Sequence, residues 1–534
     1  MMDHRRILLY FRPRKAYFSL LPAIFVICTL ILAACGGTST PNSSPGPSSK
    51  FGGNIKVGLA SDVTNLDPLK SSALVDRQVM LNMYDTLVRV DEKNAIQPDL
   101  ATTWSYTSPT QLVFTLRTDV NFHDGTPFNA DAVVFNIKRI LSTPSSPRFS
   151  EISAVKDVVA VDASHVQFDL KKAFSPLLAT LTDRSGMVLS PAAIQKAGNK
   201  LTIAPMGAGS GPFMFVEWLK NDHLTIKRNP SYWLKDDQGN ALPYLSSIRY
   251  QPFTDGNVEY TNLETGTIQA ADAIDPKDVS LAKSNPDLIY RQAPGLSFFG
   301  FMLNTKSAPL NNVHVRRAIA WGTNRQEILD KVLLGIGVLS HGPISPTSWA
   351  YNSSLESYTY DVNKGKAELA QSGISGPVSF TMLVTGGSAL NLQYAQFLQA
   401  ELLPVGITMN IKQETFATIL TDEQTFNFQA GLTGWSGRPD PDGNMYSWFH
   451  TGGGNNNMQY SNADVDKLLE DARTSSDQAQ RTTDYQKAED LINQDAPYIF
   501  IDHGVTGQIT SAKIKNFTML PTTIMVFTNV YVGS

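Results

Sequence analysis

The N-terminal 35 residues most constrain how this chain folds, because their pattern indicates that they are not part of the folded body. Five basic residues lie before residue 16, and an apolar run over residues 17–32 follows them. That run ends in the small-residue sequence Leu32-Ala33-Ala34-Cys35. A charged segment, an apolar segment and a small-residue cleavage box, in that order, are typical of an export signal. We expect cleavage before Cys35 and attachment of lipid to its thiol.

The segment after Cys35 predicts a flexible connection to the folded body. Residues 36–50 read GGTSTPNSSPGPSSK, a composition typical of a tether. A transmembrane anchor is the alternative, but the apolar run is short for a bilayer span and no basic cluster follows it. The body is therefore expected to begin near Phe51 and to be exported, lipid-anchored on the outer face of the cell membrane or in the periplasm.

Cysteine content and charge exclude several classes of protein. The chain has two cysteines, Cys28 and Cys35, and the first would leave with the signal. The body would then have no disulfide, no cysteine metal site and no cysteine nucleophile. The balance of 44 Lys and Arg against 48 Asp and Glu gives a net charge of -4. Removal of the basic signal makes the body more acidic, which argues against nucleic acid as a partner.

Hydrophobic patterns along the body predict a mixed α/β fold. Gln111–Arg117 and Ser164–Leu170 alternate apolar and polar residues, as half-buried strands do. Between them, Asn129 or Asp131 is a candidate N-cap of an amphipathic helix. Further elements are predicted: helices over His314–Leu334, Leu392–Leu403, 465–472 and 477–492, and a strand over Ile407–Ile411. A body of this length predicts two or more lobes.

Several motifs occur in a specific order along the body. The densest group spans about thirty residues, with PDLA at 98–101, Trp104 and VNFHDGTP at 120–127. The others are LDP at 66–68, GSGPF at 209–213, RNPSYW at 228–233, VRRAI at 315–319, YD at 360–361 and GWSGRPDPD at 434–442. In order and spacing this set resembles the extracellular solute-binding proteins, family 5, of peptide and nickel ABC importers. The resemblance covers nearly all of the chain after the tether.

The resemblance implies a two-lobed α/β clamshell of the periplasmic-binding-protein type, with an extra subdomain in the first lobe. The expected boundaries are a signal peptide at 1–34, lipidated Cys35 and tether at 35–50, lobe I at 51–300 with a subdomain inserted at about 86–205, lobe II at 301–495 and a C-terminal return to lobe I at 496–534. It also implies a monomer without a cofactor, which closes on a peptide-like solute and delivers it to a membrane permease with cytoplasmic ATPases.

The segment from Trp435 to Asp442 holds the best candidate for a solute contact. Peptide-binding members of the family commonly place an acidic residue just after the Trp-containing motif, where it pairs with the amino terminus of the ligand. The aligned residue here is Arg438, with Asp440 two positions on. A guanidinium suits a carboxylate or phosphate, so the predicted solute is acidic and glutathione-like. The alternative is that Arg438 forms a structural ion pair with Asp440 or Asp442.

The remaining predicted contacts come from both lobes. Trp435 is expected to form a stacking wall with Ser436 beside it. Asn65, Leu66 and Asp67 are the candidates for the facing wall, and Asn304 is expected near the cleft at the start of the second lobe.

Two further functions are alternatives to solute binding. A secreted hydrolase of peptides or esters would need a serine such as Ser210 or Ser436 beside a histidine, and no motif supports this pairing. A sensory solute receptor with the same fold stays open. The eight histidines show neither H-x-H nor H-x-x-x-H spacing, so no metal site is predicted.

Overall fold

A computed structural model of the chain describes residues 50–272, 274–355, 358–520 and 522–533. The predicted signal peptide, Cys35 and the tether up to residue 49 lie outside these residues. Within the described part, strands and helices alternate, and the α/β class is confirmed. The α-helices are Leu74–Met80, Ala130–Leu141, Pro147–Glu151, Leu177–Thr180, Pro191–Ala197, Gly256–Glu264, Val279–Ser284, Val313–Gly322, Arg325–Lys331, Val362–Gln371, Ala389–Leu402, Phe416–Gln424, Asp442–Phe449, Ala463–Thr474 and Gln478–Asp495.

The first lobe is built on a seven-stranded mixed sheet. In spatial order its strands are Leu288–Pro294, Val505–Ser511, Ala270–Ala271, Asn54–Leu59, Ser247–Pro252, His223–Arg228 and Phe213–Leu219. The strand Asn54–Leu59 buries Ile55, Val57 and Leu59 in the core of this lobe. It pairs in parallel with Ser247–Pro252, so a crossover must connect them.

That crossover contains a second, four-stranded antiparallel sheet with its own core. Its strands, in spatial order, are Ala101–Ser108, Gln111–Leu116, His165–Leu170 and Val155–Asp162. Two of them agree with the strands predicted from the alternating pattern. The predicted helix lies between them as Ala130–Leu141, and Asn129 is its N-cap because its side-chain oxygen accepts from the backbone N–H of Ala132 at 3.0 Å. This sheet forms the inserted subdomain.

The second lobe is built on a six-stranded sheet with helices on both faces. In spatial order its strands are Val338–Leu339, Tyr498–His503, Phe298–Leu303, Ala430–Trp435, Val378–Thr385 and Ile407–Glu414. The predicted helix-glycine-strand unit is confirmed by Ala389–Leu402, Gly406 in the left-handed region at φ +102°, and Ile407–Glu414. The two predicted C-terminal helices are confirmed as well, and Asp477 caps the second of them.

One predicted helix is wrong in its extent. The structure has two helices, Val313–Gly322 and Arg325–Lys331, where a single one over His314–Leu334 was expected. Thr323 is extended, and the side chain of Asn324 accepts from the backbone N–H of Glu327, so a new helix begins there. The apolar residues keep a regular spacing across this interruption because both helices bury them in the same core.

Two short segments carry the chain between the large sheets. Residues 295–297 lead from Leu288–Pro294 to Phe298–Leu303, and Gly504 leads back from Tyr498–His503 to Val505–Ser511. They lie side by side, since Nδ1 of His503 is 2.9 Å from the carbonyl oxygen of Ser297. The domain boundaries expected at 300/301 and 495/496 stay a prediction, with these segments as the structural crossings nearest to them.

Candidate functional site

An open space lies between the two lobes and consists of two adjoining cavities of about 360 Å³ and about 440 Å³. We call them together the interlobe cavity. The residues that line both parts are Leu74, Asp272, Phe299, Asn391, Gly434, Trp435 and Ser436. Concave sites of several hundred Å³ with apolar walls and a few polar groups are typical of small-solute binding.

Both lobes supply the walls of the interlobe cavity. The first lobe contributes the start of helix Leu74–Met80 and the segments at Ser61 and Asp272. The second lobe contributes the facing ends of Phe298–Leu303 and Ala430–Trp435. Aromatic side chains form much of the surface: Tyr290, Phe298, Phe299, Tyr394, Phe416, Trp435 and Trp448.

Trp435 and Ser436, both expected at the binding site from sequence, line both parts of the cavity. The indole N–H of Trp435 donates to the carbonyl oxygen of Gly443 and to Oδ1 of Asn444, each at 3.1 Å. Its ring also packs edge-on against Trp448, with centroids 5.5 Å apart. These contacts fix the orientation of Trp435 before any solute arrives.

Gly437 connects this wall to the crossing segment between the lobes. Its φ is +79°, and a Cβ atom there would lie 2.3 Å from the carbonyl oxygen of Leu296. Only glycine permits both the left-handed backbone and this close approach. The Trp435–Ser436 wall is therefore held directly against residues 295–297.

Three carboxylates line the interlobe cavity, one from the first lobe and two from the second. Asp272 accepts from the backbone N–H of Ala60 at 3.1 Å. Glu423, in helix Phe416–Gln424, accepts from the hydroxyl of Thr433 at 2.8 Å. Asp502, in strand Tyr498–His503, accepts from the phenol of Tyr394 at 3.0 Å.

Burial changes the ionisation of all three groups. It raises the pKa of Asp272, of Glu423 and of Asp502 to about 7 in each case, because the charged form loses hydration. Their hydrogen-bond donors oppose this shift only in part. Among the described residues that line the interlobe cavity there is no Lys, Arg or His. The cavity therefore has an acidic interior without a protein cation on its walls.

Trp448 adds an unused hydrogen-bond donor to the same wall. Its side chain lines the cavity and is only 4% exposed. Its indole N–H has no hydrogen-bond partner in the described part of the chain. A buried donor without an acceptor is costly, so such groups in a cavity are frequently satisfied by a ligand or by water.

Beside the cavity, a group of buried charged residues joins the lobes, and we call it the arginine cluster: Arg77, Arg148, Glu151, Asp183, Arg184 and Arg438. The carboxylate of Asp183 lies 2.9 Å from Nε of Arg77 and 2.9 Å from Nε of Arg438. Arg148 pairs with Glu151 at 2.7 Å. Burial alone would raise the pKa of Asp183, but the surrounding guanidinium groups, first that of Arg438, hold this pKa below its usual range.

Arg438 therefore belongs to an ion-pair network across the two lobes. Its guanidinium also stacks on the ring of Trp435, with 4.1 Å between the carbon centre and the ring centroid, and donates to the carbonyl oxygen of Gly437 at 2.7 Å. Asp440 pairs with Arg481 at 2.6 Å, and Asp442 pairs separately with Arg473 at 2.9 Å.

The space next to Arg438 and Asp440 is small. Both line a cavity of about 30 Å³, whose lining includes Glu151 and Asp183 of the arginine cluster. It is much smaller than either part of the interlobe cavity. A solute contact by either residue stays a prediction: the contacts described above engage Nε and Nη1 of Arg438, and its Nη2 has no hydrogen-bond partner in the described part of the chain.

The other predicted contacts lie elsewhere in the lobes. Leu66 is fully buried in the core of the first lobe, and the adjacent Asp67 binds Arg139 of the inserted subdomain at 2.9 Å. The side-chain oxygen of Asn65 accepts from the backbone of Asp67. Asn304 is buried and donates to the carbonyl oxygen of Phe428 at 2.9 Å. These residues are absent from the described lining of the interlobe cavity, so their solute contacts stay predictions.

The serines named for a hydrolase have other partners. The hydroxyl of Ser210 donates to Asp85 at 2.9 Å, and that of Ser436 lies 3.4 Å from Arg77 and 3.3 Å from Arg438. Within the described residues, no cluster of His, Cys, Asp and Glu has the arrangement of a metal site. None of the described helices is long and apolar enough to span a bilayer.

Comparison with known proteins decides the family. The profile of the bacterial extracellular solute-binding proteins, family 5 middle, matches residues 95–456, which is more than half of the chain. This chain belongs to that family. The resemblance found in the sequence motifs and the two-lobed architecture are both confirmed.

Curated and solved family 5 proteins match along nearly the whole length. The probable D,D-dipeptide-binding periplasmic protein DdpA of Escherichia coli K12 is 29% identical over 486 residues, 89% of this chain and 93% of that protein. The glutathione-binding protein GsiB of an Escherichia coli O6 strain is 28% identical over 481 residues, 87% and 91% of the two chains. The structure of Helicobacter pylori DppA with the peptide STSA superposes with a TM-score of 0.83 at 25% identity, covering 91% and 99% of the chains.

Sequence reasoning missed Asp272, Glu423 and Asp502. None lies in a family motif, and each is separated from the others by many residues. A weak signal existed for Asp502, since it is the one charged residue in the otherwise apolar strand residues 498–502. Only the packing of the two lobes brings the three carboxylates to one cavity.

Proposed function

We propose that this chain is the receptor of an ABC importer, and that it captures a peptide or peptide-like solute between its lobes and delivers it to a membrane permease. The observation that carries the proposal is the interlobe cavity, which both lobes line with aromatic and polar side chains. Full-length similarity to proteins named for binding a dipeptide and glutathione supports the solute class.

The working step in this proposal is closure of the lobes around the solute. A solute shifts an open-closed equilibrium only through contacts that differ between the two states. Contacts to Asp272 of the first lobe together with Trp435 and Ser436 of the second exist only when the lobes are closed. The crossing segments at 295–297 and Gly504 are the natural hinge, because they are the backbone links between the two large sheets.

Small-angle X-ray scattering with and without a bound peptide tests this step. We expect a smaller radius of gyration at saturation, and an unchanged profile with a bound peptide would contradict closure. Mass spectrometry after long incubation should recover the peptide intact. A cleaved product formed at catalytic turnover would favour the hydrolase.

The proposal includes export and attachment to the membrane through Cys35. Single acyl chains bind membranes weakly, so the two or more chains of a lipoprotein cysteine are needed for firm anchoring. We expect Cys35→Ser to release the protein from the membrane fraction and to abolish incorporation of labelled lipid. Retention of both properties by the variant would show that the N-terminal signal has another role.

The sequence also led to the hypothesis of an acidic, glutathione-like solute at Arg438. The contacts of Arg438 with Asp183 and Trp435 favour a role in holding the lobes together. The charge of the interlobe cavity favours another solute class, which is developed below.

A further inference from the structure

We propose that the interlobe cavity receives a solute with a net positive charge, whose ammonium group beyond the amino terminus is attracted by the carboxylates of Asp272 of the first lobe and of Glu423 and Asp502 of the second. This inference specifies the solute class of the proposed import receptor and rests on that function. It differs from the acidic solute expected at Arg438.

The first argument is the distribution of charge between the lobes. Asp272 lines the cavity from the first lobe, and Glu423 and Asp502 line it from the second, so we expect closure to bring these carboxylates closer together. The described lining has no cationic side chain to offset them. Like charges that approach in a cavity of low dielectric constant repel more strongly than in water. A cation between them converts this repulsion into attraction, and it does so only in the closed form.

The second argument is the unused capacity of the carboxylates. Each of the three accepts one hydrogen bond from an uncharged donor: a backbone N–H, a threonine hydroxyl or a tyrosine phenol. An ionised carboxylate has about four acceptor positions. An ammonium group supplies three donors and a full charge, so it matches what these carboxylates lack.

The third argument comes from the rest of the wall. Aromatic faces attract cations, and Phe299 and Trp448 lie on the same surface as Asp272 and Glu423. The unpartnered indole N–H of Trp448 needs an acceptor, which a peptide carbonyl supplies. Together these groups suit an amine-bearing, peptide-like solute, and they offer a solute carboxylate no charged partner on the lining.

Three peptides of nearly equal size separate the solute classes. Ala-Lys-Ala, Ala-Gln-Ala and Ala-Glu-Ala share both termini and carry a positive, zero and negative net charge. Calorimetry on the purified full-length protein, slightly above neutral pH, should show Ala-Lys-Ala binding about 10- to 100-fold more tightly than Ala-Gln-Ala. Ala-Glu-Ala should bind most weakly.

Isosteric variants assign the preference to the cavity. Asp272→Asn, Glu423→Gln and Asp502→Asn should each reduce the preference for Ala-Lys-Ala by about 10-fold or more and change Ala-Gln-Ala binding by less than about 3-fold. Glu401→Gln is the matched control: this carboxyl is also in the second lobe, its pKa is also raised by burial, to about 8, and it does not line the interlobe cavity. The Glu401→Gln variant should keep the preference for Ala-Lys-Ala over Ala-Gln-Ala. Thermal unfolding of each variant confirms that it is folded.

A measurement without solute gives an independent readout. The triple variant Asp272→Asn/Glu423→Gln/Asp502→Asn removes the repulsion between the lobes. Its radius of gyration without solute should be smaller than that of the wild-type protein, and an equal or larger value would count against the inference.

The outcomes distinguish this inference from the function on which it rests. Equal or tighter binding of Ala-Gln-Ala or Ala-Glu-Ala, with closure, overturns the cationic solute and leaves the import receptor standing. Failure of all three peptides to bind or to compact the protein overturns both.

Discussion

The arginine cluster and the interlobe cavity lie side by side between the lobes, and they differ in how their buried carboxylates are paired. In the cluster, Asp183 of the first lobe is bound by Arg77 of its own lobe and by Arg438 of the other. In the cavity, Asp272, Glu423 and Asp502 have only uncharged hydrogen-bond donors among the contacts described for them. The first region pairs its carboxylates with guanidinium groups of the protein, whereas the second leaves the pairing of its carboxylates to a solute.

This difference separates two contributions to closure. The cluster stabilises contact between the lobes whatever the cavity contains, because both partners belong to the protein. The cavity opposes contact until a solute of the right charge enters. A receptor built this way closes readily yet keeps its selectivity, since the preference for one solute depends on contacts that only the closed state makes.

The strongest test removes the centre of the arginine cluster. Asp183→Asn leaves four buried guanidinium groups with Glu151 as the remaining carboxylate of the cluster. Breaking a buried pair in this way costs about 3 to 5 kcal/mol, because an uncompensated charge stays buried. We expect the free energy of unfolding in urea to fall by about that amount.

The control for this change is Asp119→Asn, which breaks the more exposed pair with Arg117 inside the first lobe. It should change the free energy of unfolding by less than about 0.5 kcal/mol. Equal effects of the two substitutions would mean that Asp183 contributes no more to the free energy of unfolding than a carboxylate in an exposed ion pair.

Arg438→Met tests whether this residue acts on closure or on solute charge. The substitution removes the cross-lobe partner of Asp183 but leaves Arg77 in place. We expect about 10-fold weaker binding of Ala-Lys-Ala, Ala-Gln-Ala and Ala-Glu-Ala alike, because the closed state loses about 1 to 2 kcal/mol of the buried-pair contribution. A loss confined to Ala-Glu-Ala would restore the hypothesis of a carboxylate contact at Arg438.

The pH dependence of binding should come from the cavity. Its three carboxyls have a pKa of about 7, above their usual values near 4, so they are partly protonated at neutral pH. The ionisable groups that influence or contact them are acidic or phenolic: Glu259, Tyr394, Asp422 and Tyr498. A cation binds the ionised form, so affinity for Ala-Lys-Ala should rise about 10-fold from about pH 6 to about pH 8.

For the protein without solute, stability should fall as the pH rises, whereas the affinity for Ala-Lys-Ala rises. A carboxyl whose folded pKa is raised binds more protons when folded than when unfolded between about pH 4 and pH 7. Its contribution to stability is therefore lost as the pH rises through that window. Thermal unfolding without solute should follow this trend less steeply in Asp272→Asn than in the wild-type protein. An affinity for Ala-Lys-Ala that does not change with pH would show that the three carboxyls are already ionised in the protein without solute.

The smallest effect on affinity is expected for an exposed ion pair at the edge of the contact between the lobes, which we call the rim. Lys172 of the inserted subdomain pairs with Glu470 of helix Ala463–Thr474, so this pair also crosses between the lobes. Exposed ion pairs contribute about 0 to 1 kcal/mol. Lys172→Met should change Ala-Gln-Ala affinity by less than about 5-fold in calorimetry.

Lys467→Met is the matched control, because Lys467 pairs with Asp471 within one helix of the second lobe. It should not change affinity. A larger effect of Lys172→Met than of Arg438→Met would place the closure contacts at the rim rather than in the arginine cluster.

Local signals in the sequence were sufficient where neighbours along the chain decide the outcome. Asn129 was expected to cap a helix, and it does so, because capping depends on residues three positions apart. The prediction of a single helix over His314–Leu334 was wrong because it relied on apolar spacing alone. Its apolar spacing is continuous across Asn324, and spacing alone does not reveal that this residue starts a second helix.

The sequence by itself determined the family, the α/β class and the placement of Trp435 and Ser436 in a motif, because ordered motifs and periodic patterns are properties of the chain. Only the tertiary structure decided the electrostatics of the site. Asp183 and Arg438 lie far apart in sequence, and their pairing depends on how two lobes meet. The same holds for Asp272, Glu423 and Asp502: no local pattern links them, and the burial that raises their pKa values depends on the packing of residues that are distant in the sequence.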